Sequence, residues 1–147
     1  SLYNLYRFAH YYEEAYGKYI WLKSGASLVI EHTEAMTVID VNTGSVLKKK
    51  RQEDTLFYQI NREAAKEIAR QIRLRNISGI IMIDFINMKD EKQKEKLLLL
   101  LENECRKDRI HCNVVDMTAL NLVEMTRSKV RRPLLEQITV CRKMQKN

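Results

Sequence analysis

The sequence predicts an α/β fold, a mixed β-sheet with helices packed on it. Three observations carry that prediction. Gly79-Ile80-Ile81-Met82-Ile83-Asp84-Phe85 is an apolar run of strand length, of the kind that lies buried on both faces in the middle of an α/β sheet. Ala35-Met36-Thr37-Val38-Ile39 has the same form and also leads into an aspartate, Asp40. Between them Phe57, Ile60, Ala64, Ile68 and Ile72 recur by three and four residues, the spacing of a helix with one buried face.

The elements follow in order. Residues 2–17 read as a leading helix, with Leu5, Phe8, Ala9, Tyr12, Ala15 and Tyr16 at helical spacing and Gly17 to close it. Most of these aromatics read as core; the alternative is a base-stacking surface. Tyr19–Leu22 and Ser27–Glu31 flank a Ser24-Gly25 turn and form a hairpin. The Asp40 strand comes next, then a basic, weakly apolar segment holding Lys48-Lys49-Lys50-Arg51, which reads as an exposed loop. A long helix starts at Asp54 or Thr55 and runs to about Asn76, and the Asp84 strand follows. Asp90 caps a second helix with Gln93 as its capping-box partner. The five leucines of that helix, Leu97 to Leu101, exceed one face, so neighbours are expected to cover it well. Strands at His111–Val115 and Leu122–Thr126 and a loose helix over 134–145 complete the chain. No repeat or boundary divides residues 1–147, which are read as one domain: a leading helix over 1–18, a core over 19–133 and a tail over 134–147.

If the two apolar strands are neighbours, Asp40 and Asp84 come together at one end of the sheet, the edge where open α/β sheets bind ligands. Met36, Val38, Ile81 and Ile83 are expected to lie inward beneath them. Two adjacent carboxylates repel and stay ionised together only with a cation between them. Such oxygen ligands suit Mg²⁺ or Mn²⁺. The alternative is that each aspartate only caps the turn after its strand. His10, His32 and His111 are scattered, and no Ser/His/Asp or Cys/His arrangement can be read. Cys105, Cys112 and Cys141 form no Cys-x-x-Cys pair, which argues against structural zinc and fits a reducing cytoplasm.

The net charge of +7, from 26 basic and 19 acidic residues, suggests a polyanionic partner, nucleic acid first. The Lys48–Arg51 loop follows the first aspartate and is placed to hold phosphates; the alternative is a solvated charge run. Arg62, Lys66, Arg70 and Arg73 form a basic stripe on the long helix, set either to track a nucleic-acid backbone or to face water with Glu63 and Glu67 as partners. Arg127, Lys129, Arg131 and Arg132 add a third basic cluster. No run is long enough to span a membrane, and no secretory signal is present. The chain lacks an initiator Met and is read as a piece of a longer protein.

Four stretches resemble the signatures of the ribonuclease E/G family. They are Thr33-Glu34-Ala35-Met36-Thr37-Val38-Ile39-Asp40-Val41-Asn42-Thr43-Gly44, the helix from Asn61 to Arg75, the stretch Ile80 to Met88, and Leu122-Val123-Glu124-Met125-Thr126-Arg127. The resemblance is colinear from about Leu22 to Pro133. It implies the family's deoxyribonuclease I-like catalytic subdomain and metal-dependent endonucleolytic cleavage of single-stranded RNA, leaving a 5′-phosphate and a 3′-hydroxyl, in RNA processing and decay. It implies that Asp40 and Asp84 hold Mg²⁺ (or Mn²⁺) and that Asn42 shares the site through hydrogen bonds. From the basic clusters themselves, the residues read as RNA contacts are Lys48, Lys49, Lys50, Arg51, Arg70, Arg73 and Arg127. Glu34 is read either as a support of the metal site or as a turn carboxylate. The family's RNA clamp, 5′-phosphate sensor and Cys-x-x-Cys zinc link have no counterpart here, and a homo-oligomer is expected only of a longer protein. One departure stands inside the match: Asn87 replaces the second aspartate of the usual Asp-Phe-Ile-Asp-Met. The runner-up reading is therefore a catalytically silent RNA-binding or assembly module of the same fold. An unrelated Mg²⁺ phosphatase-like domain is a third.

Overall fold

The computed structural model describes Arg7, residues 16–44 and residues 53–130. The Lys48–Arg51 loop, the tail from residue 131 and most of the leading helix lie outside the described residues, although Arg7 and Tyr16 are helical. Six strands and two long helices make up the rest. They are β1 (Tyr19–Trp21), β2 (Ser27–His32), β3 (Met36–Asn42), α1 (Glu53–Leu74), β4 (Gly79–Asp84), α2 (Glu91–Cys105), β5 (Cys112–Met117) and β6 (Leu122–Arg127). The spatial order is β1-β2-β3-β4-β6-β5. Only β3 and β4 run parallel, joined through α1; the other neighbours are antiparallel.

The strands alternate between two environments. Ile39, Ile81, Ile83, Val123 and Met125 are fully buried and pack with Ile60, Ala64, Ile68 and Ile72 of α1 and with Leu97 and Leu101 of α2. Burying each large aliphatic side chain is worth about 1.5–3 kcal/mol, so this layer is the main apolar core among the described residues. The opposite face is more open, with Ile80 47% exposed and Val38 and Met82 half-buried. The expectation of strands buried on both faces is thus corrected: both helices lie on one face. The inward set is corrected with it. Ile81 and Ile83 face the helices, whereas Met36 and Val38 share a face with Asp40, because side chains two residues apart on a strand point the same way. α2 also departs from expectation: Leu97 and Leu101 are buried, but Leu99 is 55% exposed.

Turn chemistry holds these layers in register. Glu63 on α1 accepts hydrogen bonds from the Lys23 and Ser24 N–H groups at 2.7 and 3.2 Å, pinning the β1–β2 turn to the helix. α1 ends in a Schellman motif. The Ile77 N–H bonds the Ile72 carbonyl at 3.0 Å and the Asn76 N–H bonds the Arg73 carbonyl at 3.2 Å, with Asn76 left-handed at φ 50°. The capping box expected at α2 does not form. Asp90 accepts from the Lys92 N–H at 2.9 Å, while Gln93 Oε1 is buried without a protein partner.

Candidate metal centre

Asp40 and Asp84 are direct register partners across the parallel β3–β4 pair. Each apolar run thus delivers its aspartate to the same end of the sheet. Both side chains stand on the open face, since Ile39 and Ile83, one residue earlier, are the buried ones. Asn42, two residues beyond Asp40 and on the same face, donates from Nδ2 to Asp40 Oδ2 at 2.9 Å. Burial and the neighbouring charge of Asp84 push the Asp40 carboxyl above its ordinary value, against hydrogen bonds from Asn42 and the Val41 N–H. Among the described residues neither carboxylate has a Lys or Arg ion-pair partner.

The chain around the pair is fixed by groups that the sequence reading passed over. Asn61, fully buried on α1, donates from Nδ2 to the Ile86 carbonyl at 2.7 Å and accepts from the Ile86 N–H at 3.0 Å. This two-point clamp holds the backbone just after Asp84. The signal was an asparagine set between Ile60 and Ala64, where a buried amide must find partners. Gly44 is left-handed at φ +56°, and a Cβ there would stand 3.3 Å from the Gly25 carbonyl. A glycine therefore lets the exit of β3 press against the β1–β2 turn. Asn87, the departure from the family pattern, accepts from Asn121 Nδ2 at 3.4 Å, and Asn121 Oδ1 accepts from Lys94 Nζ at 3.1 Å.

Other predicted residues lie elsewhere. Glu34 sits in the β2–β3 turn, at the opposite end of β3 from Asp40, and does not support the pair. The Thr33-Glu34-Ala35 turn is closed by Thr33, whose Oγ1 bonds the Met36 carbonyl and N–H at 2.9 and 3.0 Å. His32 bonds Thr37 Oγ1 at 2.9 Å, and burial with the nearby Arg75 charge holds its pKa below the ordinary range. Of the basic stripe, Arg62, Lys66 and Arg70 are exposed, with Arg70 paired to Glu67 at 2.9 Å. Arg73 reaches across to the Glu104 carbonyl at 3.3 Å and ties α1 to α2. Arg127 is corrected as an open contact for RNA. It is 4% exposed, and its guanidinium bonds Asp108, Asn76 and the Ile77 carbonyl at 2.8–2.9 Å.

Two hard carboxylates in register, with an amide beside them, fit a cation such as Mg²⁺, which keeps several waters and takes one or two protein carboxylates. Among the described residues no group of three or more His, Cys, Asp and Glu side chains gathers that would suit a more fully protein-ligated metal. The fold and this pair define a mixed α/β domain with an acidic centre at the ends of its parallel strands. The ribonuclease E/G family profile matches residues 1–130, and the chain belongs to that family. It is 45% identical over 122 residues to "Ribonuclease G" of Escherichia coli (strain K12), covering 83% of this chain and 25% of the relative. Against "Ribonuclease G" of Haemophilus influenzae it is 43% identical, over 90% of this chain and 27% of the relative. Against "Ribonuclease E" of Nostoc sp. it is 42% identical, over 78% of this chain and 17% of the relative. The chain thus spans about a quarter or less of these relatives.

Proposed function

We propose that this chain is the metal-binding catalytic core of an endoribonuclease that hydrolyses phosphodiester bonds in single-stranded RNA, leaving a 5′-phosphate and a 3′-hydroxyl. The observation that carries the reading is the register of Asp40 with Asp84, in a chain whose relatives are named ribonucleases. Asp40 and Asp84 would hold Mg²⁺ or Mn²⁺. A divalent ion held there would supply neutralisation of phosphate charge and an acidified water. The chain's own groups prepare the place: Asn42 orients the Asp40 carboxylate, and Asn61 fixes the backbone after Asp84. Lys48–Arg51 and Arg70 supply the positive field that gathers RNA. The free thiols Cys105 and Cys112 suit a reducing cytoplasm.

The test uses single-stranded RNA with Mg²⁺ or Mn²⁺. Wild-type protein is expected to cleave, and Asp40→Asn or Asp84→Asn to bind RNA without cleaving it. Asn87 favours the second reading, a silent RNA-binding module. If wild type binds but does not cleave and Asn87→Asp cleaves, the silent reading stands. In the isolated chain turnover is expected to be poor, because positioning of the phosphate supplies much of the barrier reduction in such reactions. Fusing the RNA clamp of a full-length relative is expected to raise it.

A further inference from the structure

The open face carries two aromatic side chains that the proposed chemistry does not use. Tyr19 and Trp21 on the edge strand β1 are 61% and 73% exposed, while Ile20 between them is buried. Two large aromatics this open, side by side on one face of a strand, call for a reason. Their registers supply one. Tyr19 is opposite Val29, Val29 opposite Asp40, and Asp40 opposite Asp84. Trp21 is opposite Ser27, and Ser27 opposite Asn42. Directly opposed residues share a face, so the aromatics lie in the same two cross-strand rows as Asp40 and Asn42, two strands away. Neighbouring strands are ~4.8 Å apart, which sets the offset at about 10 Å.

Cations surround the aromatics. Lys18 and Lys23 flank them in sequence, with Lys18 paired to Glu31 and lying 5.8 Å from the Tyr19 ring centre. Among the described residues β1 is an edge strand, and beside it lies a groove of about 730 Å³ that is also lined from α1 by Lys66 and Arg70. Glu63 and Glu67 line it as well, but their carboxylates are engaged with the Lys23 and Ser24 N–H groups and with Arg70 and Gln71. A π-face beside positive charge is what a single-stranded nucleic acid binds, the base stacking and the backbone lying along the cations.

We infer that Trp21 and Tyr19 form a base-stacking subsite for a nucleotide next to the phosphate held at Asp40 and Asp84, with Lys23 and Lys66 contacting the flanking backbone. The occupant is single-stranded RNA, and the inference rests on the cleavage reading above only for what the stacked base adjoins. Trp21 and Tyr19 are positioning residues; neither touches the reacting atoms. The subsite would set which base is preferred on that side of the cut.

Trp21 is the single tryptophan among the 147 residues, so its fluorescence reports the contact directly. A short single-stranded RNA is titrated without divalent metal, so that nothing is cut, into wild-type protein and Trp21→Phe; the difference isolates Trp21. Expected are quenching of Trp21 and a roughly 10-fold weaker Kd for Trp21→Ala, with Trp21→Phe restoring most of the affinity. The salt slope of Trp21→Ala should match wild type, whereas Lys66→Ala should flatten it. With metal, Trp21→Ala should raise KM more than it lowers kcat and change the base preference beside the cut. Trp21 emission unaffected by RNA, or already shielded from acrylamide in the RNA-free protein, would overturn the subsite; the second result would show this face covered by protein instead. Quenching by RNA in a protein that never cleaves would leave the stacking contact standing and remove the cleavage reading.

Discussion

At the end of β4 where the chain leaves the strand, Asp84 lies beside Asp40 with no cationic side chain to offset either among the described residues. At the end where the chain enters it, opposite Gly79, Arg127 is buried against Asp108, with Asn76 and the Ile77 carbonyl taking its remaining donors. The Arg127–Asp108 end takes its charge out of bulk water, whereas Asp84 is exposed and Asp40 only partly buried. One arrangement satisfies every group it removes from solvent; the other leaves two like charges facing each other. The difference separates charge tied into the fold from charge that the proposed function gives to a ligand. A paired, hydrogen-bonded guanidinium fixes three segments to one another, while an unpaired carboxylate couple is stable chiefly in company with a cation.

Substitutions at the two ends should therefore fail in different ways. Asp84→Asn should lower cleavage of single-stranded RNA by at least about 100-fold, since it removes one of the two carboxylates proposed to hold the metal, and thermal melting should show an intact fold. Asp108→Ala should do the reverse. It strands Arg127 in the interior and should cost about 3–5 kcal/mol in denaturant unfolding, with activity lost only as far as the folded fraction falls. An Asp108 variant that loses activity at full stability would break the distinction. Asn61→Ala, which orphans the Ile86 N–H and carbonyl, should cost about 1–3 kcal/mol or somewhat more if a cavity remains.

Acid should separate the ends again. Burial works to raise the Asp108 pKa, but Arg127, the Ile110 N–H and Arg73 outweigh it, so the carboxyl titrates below its ordinary 3.8. A lowered folded pKa stabilises the native state above the unfolded value, and that contribution fades as pH falls through the folded one. The stability gap between wild type and Asp108→Asn should hold from neutral pH down to about pH 4 and shrink below it. The smallest effect is expected at the other end. In metal-free protein Asp40→Asn relieves like-charge repulsion and should raise stability by up to about 1 kcal/mol. Mg²⁺ should then raise the Tm of wild type but not of the variant.

The carboxylate end was legible in the sequence because it is written locally. An apolar run followed by an aspartate states both the strand and the residue that ends it, and two such runs state the pair. Asn42 was legible only through the family resemblance. The Arg127–Asp108 tie was not legible, since its partners come from β6, the α2–β5 loop and the end of α1, and an arginine after a strand looks the same buried or exposed. The face of Met36 and Val38 was misread for a related reason. An unbroken apolar run conceals its period of two, and only the placement of both helices on one side shows which residues the core takes. Glu34 was left open between metal support and turn carboxylate, because nearness in sequence to Asp40 hides the length of the strand between them; it lies in the turn.

The parallel pairing of β3 and β4 has a consequence for the order of events as the chain folds. β1, β2 and β3 are joined by short turns and can zip up as local hairpins. β4 must instead return past all of α1 before it can dock, and closing so long a connection is the kind of step that slows folding. Asp40 and Asp84 meet only when that step is complete. An emerging or half-folded chain carries both aspartates but presents no pair, so uptake of the proposed divalent ion would report that the hardest contact in the sheet has been made.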